Sequence, residues 1–139
     1  MNKPVVKNKI ESLRKCLLRV EQKCPPTVDE LLSDLDAQDV LVLNLSRAVQ
    51  LCVDVSLHLL SERDVDVPDT MGQAFVELAS IGVIDKELSE KMRKSVGFRN
   101  IAIHSYEEIN WAIVFSIATQ RLVDFKAFTK QVIDSADFD

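Results

Sequence analysis

The longest apolar-rich segment of the chain, residues 37–62, contains neither glycine nor proline. On a helical wheel, most of its circumference is Leu, Val, Ala and Cys, so the segment predicts a helix that is buried on several sides. We expect it to contact both its own core and a second subunit. Six polar residues of this segment fall in one arc of roughly a third of the circumference. They are Asn44, Arg47, Gln50, Asp54, His58 and Ser61. Two interpretations stay open: the arc faces water, or it lines a functional cleft.

The N-terminal part of the chain predicts a separate amphipathic helix. Residues 4–24 carry apolar side chains at spacings of three and four, with basic side chains between them. Pro25 and Pro26 end this helix, because proline has no amide hydrogen to continue the hydrogen-bond ladder. Thr27 then begins a short helical segment that breaks around residues 34–36.

Helix-start and helix-stop residues predict three more helices downstream. Thr70 begins a helix that Gly82 ends, Asp85 begins the next one, and Asn110 begins the last. Gly97 lies inside the helix that Asp85 begins, which indicates close packing of a neighbouring backbone there. The sequence shows no trustworthy strand alternation, so it predicts an all-α, up-and-down four-helix bundle with one or two extra short helices.

The length of the chain predicts a single domain over residues 1–139. In this organisation the basic helix at residues 4–24 is attached to a core bundle at about residues 37–135. The scarcity of glycine and proline, three and four in the whole chain, favours long helices over a fold with many turns.

The cysteines exclude a disulfide framework and a zinc site. Cys16, Cys24 and Cys52 are odd in number and lack metal-ligand spacing, so we expect reduced thiols. We also see no signal peptide and no run that approaches a membrane-spanning length. These features predict a cytoplasmic protein that neither enters a membrane nor requires a metal or a cofactor.

The net charge of −5 is unevenly distributed. Residues 1–24 carry a balance of +5, whereas residues 25–139 carry a balance of −10. An acidic body argues against broad coating of nucleic acid. The basic N-terminal helix is a candidate for a local nucleic-acid groove, and a solvated helix face explains it equally well.

Reactive side chains lie near the end of the helix that Asp85 begins. Arg99, His104 and Tyr106 occur at spacings of five and two, within a mainly apolar run. On a helix, Arg99 and His104 lie within about a turn and a half of each other. If the helix ends near Ile103, His104 and Tyr106 occupy the turn that follows. Arginine supplies a fixed planar cation, and histidine exchanges protons near neutral pH. The chemistry alone therefore indicates a site for an anion or a phosphodiester.

The run Gly-Phe-Arg-Asn-Ile-Ala-Ile-His-Ser-Tyr at residues 97–106 resembles the Arg-x4-His-x-Tyr signature of HEPN domains. It is most similar to that of the HepT-type toxins, which are paired with a minimal nucleotidyltransferase antitoxin. In that family the motif lies late in a small helical domain, as it does here. Residues 44–48 and 54–58 resemble the family's first long helix. The similarity extends over about residues 37–135.

This resemblance implies the toxin of a prokaryotic, type VII-like toxin–antitoxin system, with metal-independent endoribonuclease activity. It implies a composite site, built from Arg99 and His104 at a homodimer interface, that cleaves RNA. It also implies that the antitoxin transfers AMP to Tyr106, which would place negative charge at the mouth of the RNA cleft. The expected partners are a second copy of the chain, the cognate nucleotidyltransferase and RNA.

A dimeric site also has a chemical rationale. Cleavage without a metal must deprotonate a 2′-hydroxyl and protonate a leaving 5′-oxygen, and one histidine cannot comfortably do both in one step. Arg99 is suited to stabilise the charge that develops on the phosphorane. A two-fold interface repeats every residue, so it brings two copies of Arg99 and His104 into one cleft.

Four further residues are candidates for supporting or RNA-binding roles. Asn100 matches a polar position that accompanies the family motif, and the resemblance implies that it orients the phosphate or the histidine. Arg47 is a candidate for a phosphate contact. Asp54 and His58 are one helical turn apart, so a hydrogen bond between them is geometrically available. A plain structural role at an interface stays open for His58.

Three classes of function remain open from the sequence. The first is the metal-independent ribonuclease toxin. The second is a non-catalytic helical module that binds substrate for, or presents it to, a nucleotidyltransferase. The third is a helical adaptor. A cleavage assay distinguishes the first class from the second, and the neighbouring gene distinguishes both from the third.

Overall fold

The computed structural model describes residues 3–135, and these residues form helices and no strand. Four long helical runs make up the bundle: α1 (Lys3–Lys23), α3 (Leu35–Ser61), α5 (Lys86–His104) and a last run over residues 111–134. The shorter helices α2 (Val28–Ser33) and α4 (Met71–Ser80) flank α3 along the chain. The predicted four-helix bundle with extra short helices is confirmed. Residues 1–2 and 136–139 of the predicted domain lie outside the described residues.

The last helical run changes its winding once. It begins as α6 (Trp111–Ser116), continues through a π-helical turn (Ile117–Arg121) and ends as α7 (Leu122–Asp134). Asn110 caps it as predicted, because its side-chain oxygen accepts hydrogen bonds from the amides of Ala112 and Ile113. The π turn was not predicted from the sequence.

Local capping determines where α3, α4 and α5 begin. The Thr70 hydroxyl accepts from the amide of Gln73, and the Asp85 carboxylate accepts from the amide of Leu88. That backbone hydrogen bond, together with one from Gln131, lowers the pKa of Asp85. Asp34 caps α3 through the amide of Ala37, so α3 begins two residues before the predicted boundary.

The core of the bundle surrounds α3. Leu41, Leu45, Ala48 and Cys52 of α3 are fully buried, and α3 packs against α1, α4 and α5. Across the core, α4 and α7 meet in an edge-to-face aromatic pair, with ring centroids 5.9 Å apart. That pair consists of Phe75 and Phe128.

By length and composition alone, α3 could cross a membrane. Its mean hydropathy reaches 1.5 over an 18-residue window, so the expectation that no segment approaches a membrane-spanning length is wrong by this measure. However, 56% of that window is buried inside the protein, and core helices of soluble proteins meet the same criterion. The contacts with α1, α4 and α5 explain the apolar character of α3 as that of a central core helix.

The three cysteines are free, as predicted. Cys16 and Cys52 are buried, and Cys24 is half-buried. Burial raises the pKa of each thiol, most strongly that of Cys52. The reactive thiolate form is therefore disfavoured at neutral pH.

Two glycines have opposite roles. Gly82 ends α4 at a φ of +84°, a conformation in which a side chain is strained. Gly97 is helical and exposed, and a Cβ built on it meets nothing within 4 Å. Within the described part of one chain, no neighbouring backbone packs closely against Gly97, so the expectation of such packing is wrong.

We expect Gly82→Ala to lower the free energy of unfolding by about 1 kcal/mol, because it forces a Cβ into the left-handed region. Gly97→Ala should raise it by about 0.5–1 kcal/mol, because alanine is the better helix former. Chemical denaturation of both variants beside the wild type measures these changes. A destabilised Gly97→Ala protein would contradict the open environment of Gly97.

Candidate active site

The C-terminal end of α5 carries the predicted catalytic pair. Helix α5 ends at His104, and the amide of Ser105, which follows it, donates to the carbonyl of Ile101. Arg99 is half-buried on the penultimate turn, and His104 is exposed on the last residue of the helix. The helix predicted for this segment is confirmed, but it ends at His104 rather than near Ile103. The turn beyond it therefore contains Tyr106, as predicted, but not His104.

Arg99 and His104 line one cavity between the N-terminal end of α4 and the C-terminal half of α5. We call it the α4–α5 cavity; its volume is about 520 Å³. Asn100 lines the same cavity, so the structure brings together three of the predicted residues. The full lining is Thr70, Met71, Gly72, Gln73, Arg93, Val96, Gly97, Arg99, Asn100 and His104.

Arg99 also lines a second cavity, between α3 and the end of α5. This α3–α5 cavity has a volume of about 410 Å³. Arg47 and Tyr106 lie there, so Arg99 connects the predicted cleavage pair with the predicted modification site. The lining is Asp39, Val42, Leu43, Ser46, Arg47, Gln50, Arg99, Ala102, Ile103 and Tyr106.

The guanidinium of Arg99 has hydrogen-bonding capacity to spare. Its Nη1 donates to Oδ1 of Asn100 at 3.3 Å, a long hydrogen bond. Its Nε is buried and has no hydrogen-bond partner. A buried donor without a partner costs about 1–3 kcal/mol. A phosphate would satisfy it, because planar guanidinium groups bind phosphate oxygens through paired donors.

Arg93 is a further cation that the sequence analysis missed. It lies on α5 and lines the α4–α5 cavity with Arg99 and His104. Its side chain passes close to α4, since a Cβ on Gly72 would approach the Cγ of Arg93 to 3.0 Å. The spacing of Arg93 and Arg99 along α5 was visible in the sequence, but only the placement of α4 shows that they share a cavity.

Tyr106 begins a short 3₁₀ turn (Tyr106–Glu108), and 41% of its surface is exposed. Its ring meets that of Trp111 edge-on, with centroids 6.1 Å apart. The hydroxyl donates to Oδ1 of Asp39 at 2.8 Å. The hydroxyl of Tyr106 therefore has a hydrogen-bond partner within the chain. Burial, and then the hydrogen bond and charge of Asp39, raise the pKa of Tyr106 to about 12.

The residues of the polar arc of α3 do not share one environment. Arg47 and Gln50 line the α3–α5 cavity, whereas Asn44 is buried and donates to the carbonyl of Val40. Asp54 and His58 line neither cavity that contains Arg99. The interpretation that the arc lines a cleft therefore fits only Arg47 and Gln50.

The available hydrogen bond between Asp54 and His58 is not formed. Asp54 accepts from the side chain of Gln50 at 2.9 Å and forms an ion pair with Lys9 of α1 at 3.7 Å. His58 instead approaches Glu62, with Nε2 at 3.6 Å from a carboxylate oxygen, too far for a hydrogen bond. Asp54 therefore connects α3 to the basic N-terminal helix.

Among residues 3–135, no three His, Cys, Asp or Glu side chains cluster as metal ligands would. The charged groups that line the α4–α5 cavity are two arginines and, when it is protonated, one histidine. Such a donor set suits an anionic ligand rather than a cation.

The chain is similar to known proteins over most of its length. A sequence model of the ribonuclease HepT-like family matches residues 13–132. The mRNA nuclease HepT of Shewanella oneidensis is 32% identical over 89% of this chain and 92% of its own length. The tRNA nuclease HepT of Aphanizomenon flos-aquae is 23% identical over 92% of this chain and 87% of its own length.

A solved structure has the same fold. The tri-AMPylated HEPN toxin of Shewanella oneidensis, in complex with its MNT antitoxin, superposes with a TM-score of 0.89 and 31% identity. The match covers 97% of this chain and 100% of that one. Since the family model spans most of the chain and the fold agrees over nearly all of it, this protein belongs to the ribonuclease HepT-like family of HEPN domains.

Proposed function

We propose that this protein is the toxin of a prokaryotic toxin–antitoxin system and cleaves RNA as a metal-independent endoribonuclease. The observation that carries the proposal is the α4–α5 cavity, in which Arg99, with an unpartnered buried Nε, lies beside His104. The nuclease names of two relatives over most of the chain add support. The whole chain acts as one domain in the cytoplasm.

Arg99 and His104 have distinct roles in this mechanism. The guanidinium of Arg99 binds the scissile phosphate and stabilises the negative charge that grows as the 2′-oxygen attacks phosphorus. His104 moves a proton, and its exposure at the end of α5 leaves the imidazole accessible to RNA. Asn100, hydrogen-bonded to Arg99, orients the guanidinium. Arg93 supplies a second cation for the RNA backbone.

Each chain contributes one histidine to the cavity, and cleavage requires a base and an acid. A two-fold homodimer supplies both, because it repeats every residue at the interface. Large apolar side chains lie exposed beside the motif: Leu43 of α3 is 49% exposed, and Ile103 of α5 is 51% exposed. Both line the α3–α5 cavity with Arg99. Burying them against a second copy brings the two motifs together.

Arg99→Ala and His104→Ala should each reduce RNA cleavage by about 10²–10⁴-fold, the usual effect of losing a general acid–base group or a charge stabiliser. Circular dichroism should show the helical fold intact in both variants. Cleavage by the wild type should persist in EDTA, because Arg99 supplies the positive charge.

Arg121→Ala is the matched control for charge removal, because Arg121 is exposed on the π turn and lines neither cavity that contains Arg99. It should cleave RNA like the wild type. Full activity of His104→Ala would refute the catalytic assignment, and loss of activity in EDTA would refute the metal-free mechanism.

Light scattering should give the wild type about twice the chain mass of 15.7 kDa. Leu43→Glu should shift it to the monomer mass, because it places a charge in the apolar contact. Val123→Glu is the control: Val123 is 62% exposed on α7 and should leave the dimer intact. A monomeric wild type at micromolar concentration would exclude the composite site.

The second part of the proposal concerns neutralisation. We propose that a minimal nucleotidyltransferase antitoxin transfers AMP from ATP to the hydroxyl of Tyr106. Tyr106 is the chain's only tyrosine and lies at the α3–α5 cavity with Arg47 and Arg99. A phosphate attached there competes with RNA for these two cations. The tri-AMPylated state of the Shewanella relative is in line with this scheme.

Tyr106→Phe should keep nuclease activity and resist neutralisation, because it retains the ring and loses the acceptor of AMP. Intact mass spectrometry after incubation with the cognate nucleotidyltransferase and ATP should show one or more AMP-sized gains on the wild type only. The same gain on Tyr106→Phe would place the modification elsewhere.

A further inference from the structure

The hydroxyl of Tyr106 and the carboxylate of Asp39 meet across 67 positions of sequence, at 2.8 Å. Asp39 lies in the second turn of α3, and Tyr106 follows the end of α5, so the packing of these two helices creates the contact. Both residues line the α3–α5 cavity, on the same side of α5 as Arg47 and Arg99.

The hydrogen bond is not needed to compensate for burial. Tyr106 is 41% exposed and Asp39 is exposed, so water could satisfy both groups. The tyrosine ring already packs edge-on against Trp111. Exposed polar pairs contribute little to stability. The contact instead fixes the orientation of the Tyr106 hydroxyl and keeps the Asp39 carboxylate, a proton acceptor, within hydrogen-bond distance of it.

We propose that Asp39 positions Tyr106 for AMP transfer and accepts its proton during the reaction. This inference rests on the AMP transfer proposed above. The phenolic oxygen forms a bond to the α-phosphorus of a nucleoside triphosphate, and the bond from that phosphorus to the bridging oxygen of the β-phosphate breaks. Pyrophosphate leaves with the electron pair, and the phenolic proton passes to the Asp39 carboxylate and then to water.

The hydroxyl of Tyr106 needs a base before it can act as the nucleophile in AMP transfer. With a pKa of about 12, Tyr106 is almost wholly protonated at neutral pH. The free phenolate is therefore too rare to act as the nucleophile, and a base in contact must take the proton as the new bond forms. Arg47 and Arg99 line the same cavity and supply positive charge for the incoming α-phosphate. They also offset repulsion between that phosphate and Asp39.

The first test is the rate of AMP transfer to Asp39→Asn, measured by intact mass spectrometry with the cognate nucleotidyltransferase and ATP. Asparagine keeps the shape of the side chain but accepts a proton poorly, so transfer should slow by about 10²-fold. Asp36→Asn is the matched control, because Asp36 is exposed one turn earlier on α3 and lines neither cavity that contains Arg99. It should react like the wild type.

The pH dependence of the AMP-transfer rate distinguishes a catalytic base from a residue that only supports the structure. If Asp39 is the base, the defect of Asp39→Asn should shrink as pH rises, because hydroxide and the growing phenolate fraction replace it. A defect of equal size at every pH, or transfer at the wild-type rate, would overturn the role of Asp39. Absence of AMP transfer to the wild type would overturn the proposed neutralisation, and the role of Asp39 with it, but not the proposed cleavage of RNA.

The ultraviolet absorbance of tyrosinate gives a readout without the partner. With one tyrosine in the chain, the signal has a single source. The wild type and Asp36→Asn should titrate well above the ordinary tyrosine range, and Asp39→Asn should titrate lower, because the carboxylate no longer raises the pKa. An unchanged titration in Asp39→Asn would show that the contact is absent in solution and would overturn the proposal.

Discussion

The burial of α3 is the constraint on which the rest of the structure depends. Its apolar side chains are excluded from water on the sides that face α1, α4 and α5, and apolar burial is the dominant favourable term in folding. Because α3 is apolar over most of its circumference, several helices must surround it. Arg47 and Gln50, from the polar arc of α3, line the cavity between α3 and α5, and the position of α5 there determines where Arg99 comes to lie.

The position of α5 gives Arg99 two environments. One side of this helix meets the start of α4, where His104 and Arg93 lie, and the other meets α3, where Arg47 and Tyr106 lie. One guanidinium therefore serves both the proposed cleavage site and the proposed modification site. This shared cation explains how a group attached to Tyr106 would block cleavage without reaching His104: it would compete for Arg99.

Exposed apolar side chains lie beside these cations and indicate that one chain alone does not form the whole site. Leu43 and Ile103 flank the cavity that Arg99 and Arg47 line. Neither arginine forms an ion pair with the residues that the structure describes, and apolar surface exposed next to such cations is characteristic of a surface that is completed by a partner. A second copy of the chain would cover the apolar part, and RNA would neutralise the cations.

The sequence by itself determined the features that depend on near neighbours. Thr70, Asp85 and Asn110 begin helices because their side chains bond amides two or three residues away. Arg99 and His104 lie within about a turn and a half of each other because the helical spacing places them there. Tertiary structure decided the partners across helices: Asp39 for Tyr106, Lys9 for Asp54, and Arg93 as a neighbour of the motif. Such pairs depend on how helices cross and which side chains then meet, and no local spacing along the chain encodes that geometry.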